Sequence, residues 1–300
     1  MRVLFVTSEV FPLIKTGGLA DVSGSLPSAL QNLGVDIRIM VPGYPAVLKQ
    51  LDDLKPVASL NNLPVIEHAE LLIGTILDTD IKVLAIKAPG LYERDGGPYV
   101  DATGQEWLDN PVRFGILSKA AAVISGPHSP LTDWQPDIVH CNDWQTGLAP
   151  AYMKLVEHTK AKSIISLHNM AFQGCYAPGW LTTLALPHSN FTVEGFEYHG
   201  QLSFLKAGIF YADSITTVSP SYAKEIQTAE FGFGLEGLLS KRNNELKGIL
   251  NGIETDEWNP QSDPHLVKTY SVTKLAGKKE VKSALQEKLG LQIDANAPLL

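Results

Sequence analysis

Cysteine and long apolar runs are both scarce in this sequence. The 300 residues include two cysteines, Cys141 and Cys175, in neither a CxxC nor a Cys/His zinc spacing, which excludes a disulfide framework. No apolar stretch approaches the roughly 18 residues that a membrane-spanning helix needs, and the N-terminal segment lacks the basic, long-apolar order of a signal peptide. We therefore expect a cytoplasmic protein with reduced thiols and no membrane partner.

Positive charge is also in short supply. The chain has 24 Lys and Arg against 32 Asp and Glu, a formal net charge of −8. Because nonspecific affinity for nucleic acids depends on surplus Lys and Arg, this balance excludes a general polyanion binder, and no nucleic-acid partner is expected. With 44% hydrophobic and 19% charged residues the composition is that of a globular protein rather than a disordered one.

Short apolar runs alternate with helical patterns from the first residue onward. This order predicts an α/β fold, a doubly wound parallel sheet of Rossmann-like type. Between residues 57 and 87 several closely spaced apolar runs predict an inserted β-hairpin region. A helix is expected over 20–33, ending at Gly34. The strands predicted for the parallel core are 3–6, 37–41, 137–140, 163–168 and 214–218.

A glycine-rich segment follows the first predicted strand. Gly17 and Gly18 stand where a loop enters a helix, so the backbone can approach a ligand closely, and Lys15 adds a positive charge. These features predict an anion site. The spacing matches neither a P-loop nor GxGxxG, so a plain glycine-rich turn is an equally good interpretation of the pattern.

Polar residues also follow two later strands. Asp143 can act as an acceptor towards a ligand at a strand end, although from the pattern alone the favoured interpretation is the N-cap of a helix beginning near Thr146. His168 and Asn169 follow the next strand, where a lone histidine is usually structural. Together with His140 they could form a two-His, one-carboxylate metal site, which is disfavoured because His140 lies inside the apolar strand pattern.

Aromatic residues are concentrated between positions 172 and 198. The pattern predicts either a surface that stacks flat rings such as sugars, or a loop fixed by aromatic anchors. The aromatic residues of this segment are Phe172, Tyr176, Trp180, Phe191, Phe196 and Tyr198.

These segments together resemble the bacterial glycogen synthases and the plant starch synthases. The run Lys15-Thr-Gly-Gly-Leu-Ala-Asp-Val22 is similar to the N-terminal signature of that family, and further similarity lies at Pro98-Tyr99 and in residues 140–150, 168–174 and 248–253. The resemblance implies a retaining glucosyltransferase that moves glucose from ADP-glucose to the non-reducing end of an α-1,4-glucan. It also implies two Rossmann-like domains, of which the N-terminal one holds mainly the acceptor.

The resemblance carries specific roles onto this sequence. It implies catalytic roles for Asp143 and His168, and no metal or cofactor. It implies that Lys15 and the backbone of Gly17 and Gly18 reach the donor phosphates. The full set of substrate-binding residues that it implies is Lys15, Gly17, Gly18, Asp21, Tyr99, Asn169 and Asn251.

The resemblance also leads us to expect an incomplete enzyme. Residues 1–254 are expected to form the acceptor-side catalytic domain, and residues 255–300 a linker and the start of a C-terminal nucleotide-binding domain, whose Arg/Lys motif for the leaving diphosphate is not in the sequence. The 300-residue chain alone is therefore expected to be inactive. The alternatives are a glucan-binding module without transferase activity and an unrelated dinucleotide binder, which the missing GxGxxG disfavours.

Overall fold

The structure, a computed structural model, describes residues 1–255 and 257–299. They divide into two compact units, Met1–Asn251 and Gly252–Leu300. The assignment of separate functions to residues 1–254 and 255–300 stays a prediction.

The strands of the first unit form one large and one small sheet. Their bounds are β1 (Arg2–Val6), β2 (Asp36–Pro42), β3 (Leu51–Asn61), β4 (His68–Ile76), β5 (Lys82–Lys87), β6 (Ile138–Asn142), β7 (Lys162–Leu167), β8 (Cys175–Tyr176), β9 (Glu197–Tyr198), β10 (Gln201–Ser203), β11 (Ser214–Thr217) and β12 (Leu246–Gly248).

The large sheet confirms the predicted α/β class. Over the described residues its nine strands run in the order β12-β11-β7-β6-β1-β2-β5-β4-β3. All neighbours from β12 to β5 pair in parallel, and β4 and β3 continue antiparallel. The predicted hairpin is β4–β5, inserted in the chain between β2 and β6. It extends one edge of the sheet, so the central strands remain buried on both faces, as their continuous apolar sequences require.

Helices cover this sheet. Those of the first unit are α1 (Gly18–Asn32), α2 (Pro45–Gln50), α3 (Asn110–Ser125), α4 (Ala149–Leu155), α5 (Trp180–Thr183), α6 (Phe204–Tyr211), α7 (Pro220–Glu225) and α8 (Glu236–Lys241), with 3-10 turns at Trp144–Thr146 and His188–Asn190. Helix α1 begins two residues before the predicted start. The residue that follows its C-cap, Gly34, has a φ of +85°, the left-handed conformation expected there.

Helix α3 is buried along its whole length, including two charged residues. Lys119 pairs with Glu157 across to the end of α4. Arg113 donates to the carbonyl oxygens of Leu91 (3.0 Å) and Pro98 (2.8 Å). Because these carbonyls belong to the loop between β5 and α3, Arg113 fixes the segment that carries the predicted site residue Tyr99.

Most aromatic residues of the 172–198 segment pack inwards. Phe196 is fully buried against the Tyr211 ring, and Tyr176 contacts the Phe204 ring at 5.1 Å between centroids. Trp180, Phe191 and Tyr198 are partly buried against the core, whereas Phe172 is 61% exposed. The small antiparallel sheet β8-β10-β9 belongs to the same region. The structure thus favours the anchored loop over a surface that stacks sugars, except at Phe172.

The second unit contains helix α9 (Ala276–Lys288). Among the helices of the described residues, none has the length and apolar character needed to cross a membrane.

Candidate functional site

The predicted site residues follow strands that end at one edge of the sheet. Because β1, β6, β7, β11 and β12 are parallel, their carboxyl ends share that edge. Asp143 follows β6, His168 and Asn169 follow β7, and Asn251 follows β12. This is the edge at which open α/β sheets bind ligands.

Asp143 is the most unusual residue of this edge. It is 6% exposed, and its backbone has a φ of +60° and a ψ of −173°, a region that side-chain-bearing residues rarely occupy. Its N–H donates to the Ser166 carbonyl (2.9 Å), which holds it against the end of β7. Its Oδ1 is buried and has no hydrogen-bond partner within the described part of the chain.

The helix-capping interpretation of Asp143 lacks its defining contact. Asp143 precedes the 3-10 turn Trp144–Thr146, but in the described structure its side chain accepts no capping bond. The Thr146 N–H instead donates to the main-chain carbonyl of Asp143 (3.2 Å). Its Oδ1 atom is therefore left for another partner.

The environment of Asp143 favours its neutral form. Burial raises the pKa of this carboxyl to about 7. Three backbone N–H groups, those of Trp144, His168 and Asn169, act in the opposite direction and lower it. The negative charge of Glu9 raises it further. The carboxyl is thus poised between its two protonation states near neutral pH.

The two histidines are held as neutral rings. His168 Nε2 donates to Asn142 Oδ1 (3.2 Å), and burial lowers the His168 pKa to about 4. His140 lies within β6, where its Nε2 is hydrogen-bonded to Ser166 Oγ (2.7 Å), and burial lowers its pKa to about 4 as well. No three His, Cys, Asp or Glu side chains of the described residues are grouped so as to hold a metal ion. The metal-site interpretation thus has no support, and His140 is a structural residue of the sheet.

The glycine-rich loop lies at the start of α1. Lys15 Nζ bonds both carboxylate oxygens of Asp21 (2.7 and 2.8 Å), and both side chains are about half exposed. Gly17 and Gly18 have ordinary negative φ values, and a Cβ added to either would have no described atom within 4 Å. Neither backbone conformation nor internal packing therefore requires glycine here. A ligand that approaches the backbone from the open side would require it.

Glu9 is a site residue that the sequence analysis missed. It lies three residues beyond β1 and is 3% exposed. Its Oε2 accepts the N–H groups of Thr16 and Gly17 (3.1 Å from Gly17), and its Oε1 accepts the Tyr99 hydroxyl. An acidic residue directly after a central apolar strand was the available signal.

The structure brings together most, but not all, of the predicted residues. One group is Gly17 and Tyr99, joined through Glu9. Another is Asp143 with the backbone of His168 and Asn169. The exposed side chain of Asn169 accepts only the Ala171 N–H among the described residues (3.0 Å), and that of the exposed Asn251 makes no hydrogen bond within the same set. The roles of these residues stay predictions.

Comparisons with known proteins show the family to which this sequence is similar. A family model described as the starch synthase catalytic domain matches residues 2–241. The chain is 52% identical over 301 residues to a glycogen synthase of Nitrosomonas europaea, covering 99% of this chain and 61% of that protein. It is 50% identical over 302 residues to a glycogen synthase of Nitrosospira multiformis, covering 100% of this chain and 60% of that protein.

A solved structure is similar as well. The catalytic domain of starch synthase IV from Arabidopsis thaliana, bound to ADP and acarbose, superposes with a TM-score of 0.81 at 30% sequence identity. The match covers 99% of this chain and 60% of that one. The chain thus spans about 60% of the length of these relatives.

Proposed function

The chain belongs to the family of starch synthase catalytic domains, and we propose that it forms the acceptor side of a glycogen or starch synthase. The reaction proposed is transfer of glucose from ADP-glucose to the non-reducing end of an α-1,4-glucan with retention of configuration. The ADP and acarbose held by the Arabidopsis relative, a nucleoside diphosphate and an oligosaccharide analogue, suit these two substrates.

The main support for the proposal is the position of Gly17 and Gly18. These two glycines stand at the N-terminal end of α1 with open space above them, and the fold itself gives no reason for either. The Gly17 N–H already donates to Glu9, so the Gly18 N–H and the Lys15 ammonium are the donors proposed for the donor phosphates. Negative charge builds on the departing diphosphate, and donors fixed in advance stabilise it.

Asp143 is proposed to act on the sugar. Positive charge builds on the glucosyl carbon as the sugar–phosphate bond breaks, and the unpartnered Oδ1 of Asp143 supplies an acceptor at the strand edge. His168, neutral at pH 7, is proposed to contribute hydrogen bonding rather than charge, and its backbone N–H supports Asp143. Tyr99, Asp21, Asn169 and Asn251 are proposed to line the substrate site.

The arrangement of carboxylates favours a same-face displacement. A retaining reaction through a covalent intermediate uses a pair of carboxyl groups, one as nucleophile and one as acid and base, so Asp143 alone would not be enough. Glu9 is close enough for its charge to act on Asp143, but both its oxygens accept hydrogen bonds from the chain. In the mechanism proposed, the bond from C1 to the phosphate oxygen breaks as the bond to the acceptor oxygen forms. The acceptor proton passes to the leaving phosphate.

A cytoplasmic location is also proposed. Cys141 and Cys175, both within the described residues, are free thiols. Free thiols suit a reducing compartment.

The test joins this chain to the segment of the Nitrosomonas europaea glycogen synthase outside the matched region. Incorporation of labelled glucose from ADP-glucose into maltoheptaose is measured. In this chimera, Gly18→Ala is expected to raise the KM for ADP-glucose at least about 10-fold, the equivalent of one lost contact of about 1.4 kcal/mol. Its unfolding midpoint is expected to stay the same or rise, because the added Cβ meets no described atom within 4 Å.

Gly237→Ala is the matched control. Gly237 also lies in the first turn of a helix, α8, with no described atom within 4 Å of an added Cβ. This variant is expected to keep the KM of the parent chimera. An unchanged KM in Gly18→Ala would contradict the phosphate role, and a parent chimera that transfers no glucose would contradict the proposed reaction.

A further inference from the structure

We propose that Glu9 is a positioning residue of this site, which holds the glycine-rich loop and Tyr99 in one fixed arrangement next to Asp143. The effect of Glu9 on catalysis rests on the proposed function, but its hydrogen bonds to the loop and to Tyr99 do not. The hydrogen bonds of one carboxylate connect segments that are 7, 8 and 90 residues away in the sequence.

The two carboxylate oxygens have separate tasks. Oε2 accepts the N–H groups of Thr16 and Gly17 and so sets the path of the loop into α1. Oε1 accepts the Tyr99 hydroxyl, which is also hydrogen-bonded to Ser8 Oγ (2.8 Å). Because the proton of Tyr99 is directed to Glu9, the Ser8 hydroxyl is the donor in that second bond. The orientation of the Tyr99 ring end is thereby fixed from two sides.

Glu9 also determines which donors remain for a ligand. Two N–H groups at the entrance to α1 are already occupied by its carboxylate. A phosphate that binds here would therefore accept the Gly18 N–H and would not bind deeper in the loop, towards β1. Glu9 thus places the anion at the outer part of the loop, where Lys15 and Asp21 lie.

The charge of Glu9 needs an explanation beyond these bonds. Glu9 is almost fully buried, and no Lys, Arg or His of the described residues forms an ion pair with it, since Lys15 pairs with Asp21. A buried carboxylate without a cation is costly. A neutral glutamine of the same size could accept the same N–H groups through its amide oxygen. Its amide NH2 would stand in place of Oε1, where it can only donate, so the Tyr99 hydroxyl would have to turn its own proton to Ser8 Oγ. With that reversal the hydrogen bonds can form without a negative charge.

The negative charge of Glu9 acts on the carboxyl group of Asp143. The neighbouring imidazoles of His168 and His140 have a pKa of about 4, and so carry no charge at pH 7. The remaining groups that act on Asp143 are the backbone N–H groups of Trp144, His168 and Asn169, which are neutral. Glu9 is the charged side chain that raises the pKa of Asp143. Its negative charge therefore helps to hold that carboxyl near its midpoint at neutral pH.

The experiment uses the 300-residue chain labelled with ¹³C at its carboxyl carbons. The Asp143 carboxyl is titrated by NMR in the wild type, Glu9→Gln and Glu9→Asp. Loss of the charge in Glu9→Gln is expected to lower the Asp143 pKa. Glu9→Asp keeps the charge on a shorter side chain, so the pKa is expected to stay within a few tenths of a unit of the wild type.

Hydrogen exchange tests the positioning. In the wild type the Thr16 and Gly17 amides are expected to be protected, and in Glu9→Asp, which reaches less far, both are expected to exchange at least about 10-fold faster. An Asp143 pKa that is the same in Glu9→Gln and the wild type, or unprotected Thr16 and Gly17 amides in the wild type, would overturn the proposal. The exchange rates of the Thr16 and Gly17 amides in the wild type test the positioning role even if a variant fails to fold.

The KM for ADP-glucose and the pH profile of kcat, measured in the chimera, then distinguish the positioning role of Glu9 from a purely structural one. Glu9→Asp is expected to raise the KM for ADP-glucose about 5-fold or more, whereas Glu9→Gln is expected to shift the pH profile of kcat to lower pH. If the parent chimera is inactive, the proposed function fails while the titration and exchange results still decide the role of Glu9.

Discussion

Replacement of Asp143 by asparagine should stabilise the fold and abolish transfer. The carboxyl has a pKa near 3.8 in an unfolded chain and about 7 in the folded one. In the unfolded chain it loses its proton at lower pH than in the folded chain. This group therefore lowers the free energy of unfolding as pH rises from about 4 to 7. Its contribution is most favourable below pH 4 and constant above pH 7.

The magnitude follows from the difference between the two pKa values. One unit corresponds to about 1.4 kcal/mol, so a difference of about 3 units costs about 4 kcal/mol once the carboxyl is ionised. Asparagine cannot ionise, and its side-chain oxygen can still accept the same backbone N–H groups. It also keeps the strain of the positive φ, so the comparison isolates the charge.

The assay is urea unfolding of wild type and Asp143→Asn, followed by circular dichroism at a series of pH values. The variant is expected to be more stable by about 1 kcal/mol at pH 4.5 and by about 4 kcal/mol at pH 8. Titrating groups that do not interact with Asp143 cancel in the difference. A difference that stays constant between these pH values would refute the claim that the ionised carboxyl is destabilised by its surroundings.

The same variant has a functional readout. In the chimera, glucose transfer by Asp143→Asn is expected to fall at least about 100-fold, as loss of a charge that stabilises the transition state does in other enzymes. Near-normal transfer would return Asp143 to a purely structural role.

Two further predictions concern packing. The Tyr44 hydroxyl is buried with no hydrogen-bond partner among the described residues, so Tyr44→Phe is expected to raise the free energy of unfolding by about 1 kcal/mol. Tyr92→Phe removes a hydrogen bond to the Arg113 carbonyl (2.6 Å) and is expected to lower the free energy of unfolding by a similar amount. Urea unfolding checks both, and a loss of stability in Tyr44→Phe would contradict the prediction. A Cβ on Gly147 would lie 2.1 Å from the Phe204 carbonyl oxygen at the start of α6, so Gly147→Ala is expected to cost at least about 2 kcal/mol in thermal unfolding. A midpoint equal to that of the Gly237→Ala control would show that this contact can relax.

The parallel sheet could be predicted from the sequence because each central strand is a short apolar run with a polar residue or turn at its end. That pattern located Asp143, His168 and Asn169 on the edge where ligands bind. It could not decide between catalysis and capping for Asp143, because both need a carboxylate after a strand. The missing capping bond of the side chain, a feature of three-dimensional geometry, counts against capping, while the catalytic role stays a prediction.

The contacts of Glu9 could not be predicted from sequence patterns for a different reason. Its contact with Tyr99 spans 90 residues, and no periodicity records such a pairing. The glycine-rich loop shows the same limit. The family resemblance implied that the backbone of both Gly17 and Gly18 reaches the donor phosphates, but the Gly17 N–H already donates to the carboxylate of Glu9. The inward packing of Tyr176 and Phe196 likewise depends on Phe204 and Tyr211, which lie outside the aromatic segment.

Three separate features of Asp143 each reduce the stability of the fold. Its Oδ1 is buried without a partner in the described structure, its backbone lies in a strained region, and a second buried carboxylate raises its pKa. Asparagine would remove the charge, and glycine would remove the strain as well. A residue needed only to begin a 3-10 turn would require none of these costs. The role proposed for Asp143, to meet positive charge that develops on a bound sugar, would require an unpartnered oxygen, which is the feature that the surrounding residues preserve.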